Sequence, residues 1–448
     1  MRHFALLVLL SAACAACSSP VPAASSALGA SVAAPVPAPS ASQATSAAVN
    51  PRLTRGGMVT APPASDDIKE FATSNNAFAF DLFAKLRTRK GNLVISPFSL
   101  STTLTMTWAG AHGETADQMK KVLHLAGTTE QVLDVTAKAL ASYQELGSDV
   151  TLRPANRLFG EKTYSFEQAY LDSTSATFGA PLESLDFLHA SDAGRQHINA
   201  WVASATQDRI QDLIPVNGLD SGTRLVLANA IYFLGAWSAP FSKAATASAP
   251  FRLTVSESKD VPTMHLASSF RFAVVDGVKL LEMPYQGGAL AMTLVLPDPV
   301  DGLAALEARL SQATLDAWLG ARAGDYIDVK LPKLEIDPVG SLSLKETLRA
   351  LGMPLAFLET KADFTGIAQP RVNGSRLYVE QVFHKAFIKV DEQGTEAAAA
   401  TAVTMRGKSR GGPPKVEFHA DHPFLFFLRD VRSGMILFMG RVSDPTAK

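Results

Sequence analysis

Apolar and polar positions follow two different spacings along this chain. In its first part, apolar residues recur every three to four positions, most clearly over residues 68–86, and this spacing predicts amphipathic helices. The same spacing predicts helices over residues 113–125 and 196–213. Gly91 predicts the stop of the first of these helices, because glycine commonly follows the last helical turn.

Later in the chain, short continuous apolar runs replace the helical spacing. Most of these runs are apolar on both faces, which predicts strands covered by other layers on both sides. We find no internal repeat and no linker after residue 65, so the pattern favours one α+β domain over residues 65–448. The predicted strands are residues 224–233, 290–296, 326–331, 424–428 and 436–442.

Residues 1–17 combine a basic start, a short apolar run and small residues, which is typical of a secretory signal peptide. The apolar run is too short to span a bilayer. Cys17, or alternatively Cys14, follows small residues as in a bacterial lipobox, so we expect one of them to be lipidated. Simple cleavage and release is the alternative. We therefore expect an exported protein, either lipid-anchored to the bacterial cell envelope or secreted.

Residues 18–64 are dominated by alanine, proline and serine. Such a segment has little apolar surface to bury, and we interpret it as a disordered tether. The whole 448-residue chain has a formal net charge of -1, which argues against nucleic-acid binding, because phosphate groups require a basic surface. Both cysteines lie within residues 1–17, so the domain has no thiol for a disulfide, a zinc–thiolate site or a cysteine nucleophile.

The common enzyme motifs are missing from the sequence. We find no Gly-x-Ser-x-Gly, His-Glu-x-x-His or Gly-x-Gly-x-x-Gly pattern. Residues 407–409 match only the end of a phosphate-binding loop, because position 402 is alanine and no helical pattern follows. His419 and His422 could in principle bind a metal, but a short loop before a strand is the preferred interpretation. We therefore expect no enzyme activity, no metal and no cofactor.

The segment from residue 390 to residue 403 is rich in small side chains. Gly394 suits a hinge, because glycine adopts backbone angles that other residues do not. Strand periodicity would put one set of small residues on a single face, with Glu396 on the other, so that the strip could enter a slot between two strands. Taken alone, the segment favours an exposed helix instead, because alanine favours helix and Thr395 is a good N-cap. The small inward face would comprise Thr395, Ala397, Ala399, Thr401 and Val403.

Residues 405–412 are basic, polar and glycine-rich. This composition is typical of an exposed loop that a protease cutting after lysine or arginine would accept. The alternative is a surface loop with solvated charges. A small-residue strip joined to a basic bait is an unusual combination, and it favours a role in protease recognition.

Five separated motifs resemble those of the serpins, and the resemblance covers residues 65–448. The segment EQGTEAAAAT is similar to the hinge of inhibitory serpins, and HADHPFLFF is similar to the signature that follows their reactive loop. The remaining motifs match the start of the second helix, the central strand of the main sheet and a later strand. The five motifs occupy residues 92–99, 227–237, 331–334, 392–401 and 419–427.

The resemblance implies a serpin fold, with three β-sheets, about nine helices and an exposed reactive-centre loop. It implies a covalent, suicide-substrate inhibitor of a serine protease, whose cut loop inserts into the main sheet. The family spacing puts the scissile bond at Lys408–Ser409, which implies a trypsin-like target; Arg406 and Arg410 are alternative cleavage sites. The hinge residues implied are Glu392, Gly394, Thr395, Glu396, Ala397, Ala398, Ala399, Ala400 and Thr401.

The resemblance also implies two polar clusters in the main sheet. One, under the point where the sheet opens, would comprise Ser96, Ser99, Asn229 and His384. The other, where the loop first enters, would comprise Trp237, Lys333 and Glu392. Residues 128–143 mix acidic with basic side chains, so we expect no glycosaminoglycan cofactor, and we expect a monomer. A non-inhibitory serpin that acts as a protease substrate, carrier or chaperone is the alternative function.

Overall fold

The structure, a computed structural model, describes residues 63–146, 149–338, 340–395 and 416–447. Within these ranges the chain forms ten α-helices and seventeen strands. The helices are α1 (Asp66–Leu86), α2 (Pro97–Trp108), α3 (Gly113–Val122), α4 (Thr129–Gln144), α5 (Gln168–Phe178), α6 (Phe187–Ala205), α7 (Leu303–Ala308), α8 (Gln312–Gly320), α9 (Lys345–Leu351) and α10 (Pro370–Asn373). The strands are β1 (Leu93–Ile95), β2 (Val150–Glu161), β3 (Leu182–Leu185), β4 (Leu225–Ala236), β5 (Ala247–Arg252), β6 (Ser258–Val275), β7 (Val278–Pro284), β8 (Leu290–Pro297), β9 (Ala323–Pro332), β10 (Leu334–Ile336), β11 (Leu342–Ser343), β12 (Phe383–His384), β13 (Ile388–Val390), β14 (Gly394–Thr395), β15 (Val416–His419), β16 (Phe424–Asp430) and β17 (Ile436–Val442).

The strands of the described residues form three sheets. A six-stranded sheet has the order β10-β13-β14-β4-β2-β3. A nine-stranded sheet has the order β1-β17-β16-β8-β7-β6-β9-β15, with β5 paired to β6, and β11 pairs with β12 in a small ribbon. The α+β fold class expected from the sequence is confirmed.

The fully apolar runs form the buried strands of the nine-stranded sheet. Every residue of β8, β16 and β17 is buried. Helix α2 is likewise buried along its whole length and lies beneath both sheets, against β4 and β17. Burial on both faces explains why these strands contain continuous apolar runs rather than alternating ones.

The sequence prediction of a helix over residues 196–213 is wrong at both ends, because α6 begins at Phe187 and ends at Ala205. Thr206 stops the helix: its hydroxyl donates to the Val202 carbonyl and accepts the backbone N–H of Ile210. Ile210 and Leu213 are still buried in the same cluster as α6. The apolar spacing over residues 196–213 therefore reflects burial in one shared core rather than a continuous helix.

The first helix ends at Leu86, as its apolar spacing predicts. Gly91 is not its stop: the C-cap residue is Arg87, and Gly91 lies beyond the helix with a φ of 79°. Helix α10 ends at Asn373, with Gly374 in the left-handed region. The Asn373 amide is engaged with both backbone groups of Ser165.

Candidate functional site at the entrance of the six-stranded sheet

The short strand β14 lies inside the six-stranded sheet, between β13 and β4. Gly394 pairs with Ala236 and Thr395 pairs with Gly235, both antiparallel. On the other side, Thr395 pairs with Val390. Of the two alternatives left open by the sequence, the structure forms a strand at residues 394 and 395; residues 396–401 of the hinge lie outside the described residues.

Two glycines, Gly394 and Gly235, allow β14 to lie between β13 and β4. A Cβ atom on Gly394 would lie 1.9 Å from the Gly235 carbonyl oxygen, so no other residue fits there without moving the backbone. A Cβ atom on Gly235 would in turn lie 2.6 Å from Phe233 Cζ and 2.8 Å from Tyr285 Cδ1. The glycine at the hinge is therefore required for close approach to β4.

Thr395 is held on its inward face by Tyr285. The two hydroxyl oxygens are 2.6 Å apart, and Tyr285 stacks on Trp237 with ring centroids 4.5 Å apart. Burial raises the pKa of Tyr285 well above its ordinary value, so its hydroxyl stays protonated and available as a hydrogen-bond donor. Position 395 therefore favours a side chain that is small and carries a hydroxyl group, as threonine does.

Glu392 anchors the turn before the hinge. Lys333 Nζ lies 2.8 Å from Glu392 Oε2, and the Thr246 hydroxyl donates to Oε1 at 2.8 Å. Burial opposes ionisation of Glu392, yet these hydrogen bonds hold its pKa below the ordinary value. The structure thus brings together Lys333 and Glu392, which the resemblance to serpins had paired.

Trp237 fixes the backbone of the same turn. Its Nε1–H donates to the Asp391 carbonyl at 3.1 Å, and its backbone N–H donates to the Gln393 carbonyl at 2.8 Å. Phe241 N–H donates to the Glu392 carbonyl at 2.9 Å. Three consecutive carbonyls are therefore occupied, and the chain enters the sheet along a defined path.

Below β14 lies a cavity of about 100 Å³, which we call the slot. It is bounded by the first residues of β4 (225–228), by residues 377–384 and by α2. Its walls are largely apolar; they include Leu104, Leu225, Leu227, Leu377 and Val379. The slot continues the line that β14 begins along β4.

His384 lies at the deep side of the slot. Its Nε2 accepts the backbone N–H of Ser96 at 3.0 Å, and the Ser96 hydroxyl donates to the Leu437 carbonyl at 2.7 Å. The Ser99 backbone N–H donates to the same Ser96 hydroxyl at 3.3 Å. Burial lowers the pKa of His384 to about 4, which keeps its Nε2 free to accept. The side chain of Asn229 lies outside the part of the chain that the structure describes.

Several residues predicted from the sequence lie outside the described ranges. They are the bond Lys408–Ser409, the alternative sites Arg406 and Arg410, the hinge residues from Glu396 to Thr401, and the lipidation candidates Cys14 and Cys17. Residues 396–415, which we call the reactive loop, connect β14 in one sheet to β15 in the other.

Sequence reasoning missed Gly235, Thr246 and Tyr285. Tyr285 directly follows β7 and meets Trp237 through an isolated bridge, 48 positions away in sequence. No local pattern marks such a contact. The glycine in the central strand motif (residues 227–237) was the one available signal, because glycine inside a strand often marks close backbone approach.

The two histidines weighed as metal ligands point to different partners. His419 Nε2 lies 3.0 Å from Asp328 Oδ2, whereas His422 Nε2 donates to the Pro297 carbonyl. Within the described ranges, no group of three or more potential metal ligands is found. No helix in those ranges is long and apolar enough to cross a membrane.

Comparison with known proteins gives one consistent result. A family model described as "Serpin (serine protease inhibitor)" matches residues 73–445. Human leukocyte elastase inhibitor is 39% identical over 388 residues, which cover 84% of this chain and all of the human protein. Human serpin B3 is also 39% identical, again across its full length.

Solved structures agree with the sequence comparison. Serpin48 of the insect Tenebrio molitor matches with a TM-score of 0.74 and 32% identity, covering 85% of this chain and all of that protein. Uncleaved ovalbumin matches with a TM-score of 0.75 and 30% identity, covering 84% of this chain and all of ovalbumin.

Proposed function

Because the chain belongs to the serpin family of serine protease inhibitors, we propose that it traps a trypsin-like protease covalently at the Lys408–Ser409 bond. The observation that carries this proposal is β14, which already occupies the top of the six-stranded sheet with its small side chain inward. In this interpretation the protein is a substrate that is cut once and does not turn over.

The register of β14 supports insertion of the rest of the loop. Continuing its antiparallel pairing with β4 would bring position 405 opposite Leu225, the first residue of that 12-residue strand. Twelve residues of extended chain span about 40 Å. Lys408 would then lie just past the far end of the sheet, so a protease attached there would have been carried the length of β4.

The chemistry is that of ordinary acyl transfer, stopped halfway. The serine hydroxyl of the protease attacks the Lys408 carbonyl carbon, its proton passes to the leaving amine, and the bond to the Ser409 nitrogen breaks. An ester then joins the protease to Lys408. Insertion satisfies loop backbone groups against β4 and β13, and this gain favours the inserted state over return to the intact loop.

The charge of Lys408 supports a trypsin-like target. A lysine side chain requires an acidic residue in the specificity pocket of the protease, whereas an elastase offers a small pocket. Two of the similar proteins, from human and rat, are named as inhibitors of leukocyte elastase, so trypsin and elastase make a direct pair of test enzymes. Cleavage at Arg406 or Arg410 would change the inserted length and favour release of the cut inhibitor.

We further propose that residues 1–17 direct export and that Cys17, or Cys14, carries a lipid. Labelling with a fatty acid should then mark the full chain, and Cys17→Ser should abolish the label; loss only in Cys14→Ser would move the lipid to Cys14. An unlabelled full chain would show that the protein is released rather than anchored, and a label that survives each substitution would show that neither cysteine alone carries the lipid.

The inhibitory function is tested by mixing the protein with trypsin and running a denaturing gel. We expect a band at the summed mass, and a small released fragment that begins at Ser409. Matched incubation with elastase should give less of the complex. Complete cleavage without a complex, for every protease tried, would favour the non-inhibitory alternative. A fragment that begins elsewhere would overturn the assignment of Lys408.

A further inference from the structure

Residues 85–90, which we call the basic turn, form the last two residues of α1 and the turn after it. No other six consecutive residues of the sequence hold as many positive side chains, and residues 82–113 contain no aspartate or glutamate. The four positive residues are Lys85, Arg87, Arg89 and Lys90. The basic turn is therefore a local concentration of positive charge in a chain whose formal net charge is only -1.

The charge of the basic turn is not neutralised by the part of the protein that the structure describes. Within those residues, none of the four side chains forms an ion pair or a side-chain hydrogen bond. Three acidic side chains close to the turn already have basic partners. These pairs are Glu307–Arg441, Asp444–Lys259 and Asp81–His124. The four cations are therefore available to an anion outside the protein.

A buried arginine holds the backbone of the basic turn in one conformation. The guanidinium of Arg441 donates to three consecutive alternate carbonyls, those of Arg87, Arg89 and Gly91. The side chain of Arg441 is only 4% exposed, and Glu307 Oε1 accepts from it at 2.9 Å. A backbone that is already ordered loses little conformational entropy when its side chains bind a partner.

The dipole of α1 accounts for only part of this charge. Cations are favoured near a helix C-terminus, but the effect falls off within the last turn. Helix α1 ends at Leu86 with Arg87 as its C-cap, so Arg89 and Lys90 lie beyond the helix. Their side chains, and that of Lys85, are exposed. Stabilisation of the helix end therefore does not explain why all four positions are basic.

We propose that the basic turn is a docking surface for a bilayer that contains anionic phospholipids. The phosphate headgroups of such a bilayer attract each lysine or arginine that comes near the surface. The lipids are mobile in the plane of the bilayer, so anionic headgroups can gather around an exposed turn. This inference goes beyond protease inhibition and does not depend on it.

The charge of the other residues favours a bilayer over a long polyanion. Without the four cations of the basic turn, the formal net charge of -1 becomes -5. A sulfated glycan or a nucleic acid would extend past the turn and meet this negative remainder, whereas a bilayer contacts the protein only on the side that faces it. Residues 66–70, at the other end of α1, hold three acidic side chains and one basic side chain. An anionic bilayer would therefore attract one end of α1, repel the other, and orient the domain.

The basic turn would complement the lipid proposed at Cys17 or Cys14. A single acyl chain binds a membrane only weakly, and a chain combined with a polybasic patch binds stably. Acyl chains and apolar segments bind neutral and anionic bilayers alike. The preference of the protein for anionic over neutral bilayers therefore reports on the basic turn, whether or not a lipid is attached.

The experiment measures this preference for the full chain by sedimentation with vesicles at about 0.1 M salt. One set of vesicles is phosphatidylcholine alone, and the other contains about one third phosphatidylglycerol. We expect the wild type to partition at least about tenfold more strongly into the anionic vesicles. The variant Lys85→Gln/Arg89→Gln/Lys90→Gln should lose most of this preference. Its thermal melting should match that of the wild type, because the replaced side chains are exposed and unpaired.

A matched control removes the same charge from other faces of the protein. The variant Lys243→Gln/Lys330→Gln/Lys361→Gln replaces three exposed lysines that are far apart in the sequence. We expect its preference for anionic vesicles to stay within about twofold of the wild type, because the screened attraction acts only over about 10 Å. Equal losses in the two variants would mean that net charge alone determines binding, and would overturn the proposal.

A variant that keeps the charge tests what the basic turn recognises. Lys85→Arg/Arg89→Lys/Lys90→Arg should retain the preference, since a fluid bilayer responds to charge rather than to guanidinium geometry. Loss of the preference in this variant would point instead to a specific phosphate-bearing ligand. A wild type without any preference would show that the turn is a solvated helix end only. If that wild type were also retained on immobilised heparin, the basic turn would be assigned to a polyanion instead of a bilayer.

Discussion

The two ends of the reactive loop are attached in opposite ways. The near end, β14, lies inside the six-stranded sheet, with hydrogen-bonded strands on both sides and its side chain against Tyr285. The far end, β15, lies at the edge of the nine-stranded sheet and, among the described residues, has one neighbouring strand. An interior attachment can be extended by adding further pairs, whereas an edge attachment can only be kept or lost.

This difference separates two properties of the inhibitor. In the proposed mechanism the near end determines whether the cut loop can insert, because every added pair follows from the register of Gly394 and Thr395. The far end holds the chain after the loop through its pairing with β9. Changes at the near end should therefore alter the outcome of cleavage, and changes at the far end should alter the local stability of β15.

The strongest way to break the near end is Thr395→Arg. A guanidinium at this buried position beside Tyr285 would have to turn out of the sheet or lose its solvation, so insertion should stop at the first pair. We expect trypsin to cut the variant while the covalent complex falls at least about tenfold. Glu396→Arg is the control, because strand alternation puts that position on the other face. Equal losses in both variants would argue against an inward role for Thr395.

Acid should loosen the region around His384 and leave β15 in place. The folded protein keeps His384 neutral, whereas the unfolded chain binds a proton below its ordinary pKa of 6.5; stability therefore falls as the pH drops from about 6.5 to about 4. The difference corresponds to about 3 kcal/mol. Thermal unfolding at pH 7 and pH 4.5 should show the loss, and His384→Gln should reduce its pH dependence.

The pKa of Asp328 is lowered, so the stabilisation that it provides is present above its ordinary pKa and is lost only as the pH falls through the lowered value. Relative to intrinsic amide exchange, which is itself slower in acid, protection of residues 416–419 should therefore be kept at pH 4.5, while residues 377–384 lose protection. Parallel loss of protection at both places would argue against a pH response centred on His384.

Gly235→Ala tests the glycine contact beside the hinge. The new methyl group would collide with Phe233 and Tyr285, and we expect a loss of about 2 kcal/mol of unfolding free energy. Gly320→Ala is the matched control, because no heavy atom lies within 4 Å of the added Cβ. Denaturant unfolding of both variants measures the difference; equal stability would mean that the strand shifts freely.

Lys333→Ala should have the smallest effect of the four substitutions. Glu392 has a side chain only 5% exposed and would lose one of its two side-chain partners, at about 1–2 kcal/mol. Lys69→Ala, which removes an exposed pair with Asp66, should change stability by less than about 0.5 kcal/mol. Thermal melting that ranks the two variants in the reverse order would show that Glu392 is held by Thr246 alone.

The buried strands of the nine-stranded sheet can be predicted from the sequence, whereas the conformation of the hinge cannot, and the difference has a physical cause. The apolar runs of β8, β16 and β17 are visible because burial on both faces leaves a continuous signal. The conformation of residues 394 and 395 is not visible, because local propensity favours a helix and the flanking strands decide otherwise. At these two residues, pairing with β4 and β13 outweighs the local helix propensity.

The polar contacts of the site are harder still to predict. Lys333 and Glu392 are 59 positions apart, and only resemblance to a family could pair them before the structure was known. Tyr285 carries no local sign of its contact with Thr395, and Asp328 carries none of its two histidines. Such contacts are set by the pairing register of the strands, which the sequence alone does not show.

The twelve-residue length of β4 also has an evolutionary consequence. The length of β4 limits how many loop residues can pair with it. Residues beyond that length do not pair with the strand, so it does not constrain their side chains. If the loop inserts to position 405 as proposed, substitutions after that position can redirect the inhibitor to a new protease without changing the inserted length. Insertions and deletions before that position would change the measured length, and selection should remove them. The loop up to position 405 must therefore keep its length, whereas the loop after that position can change its sequence.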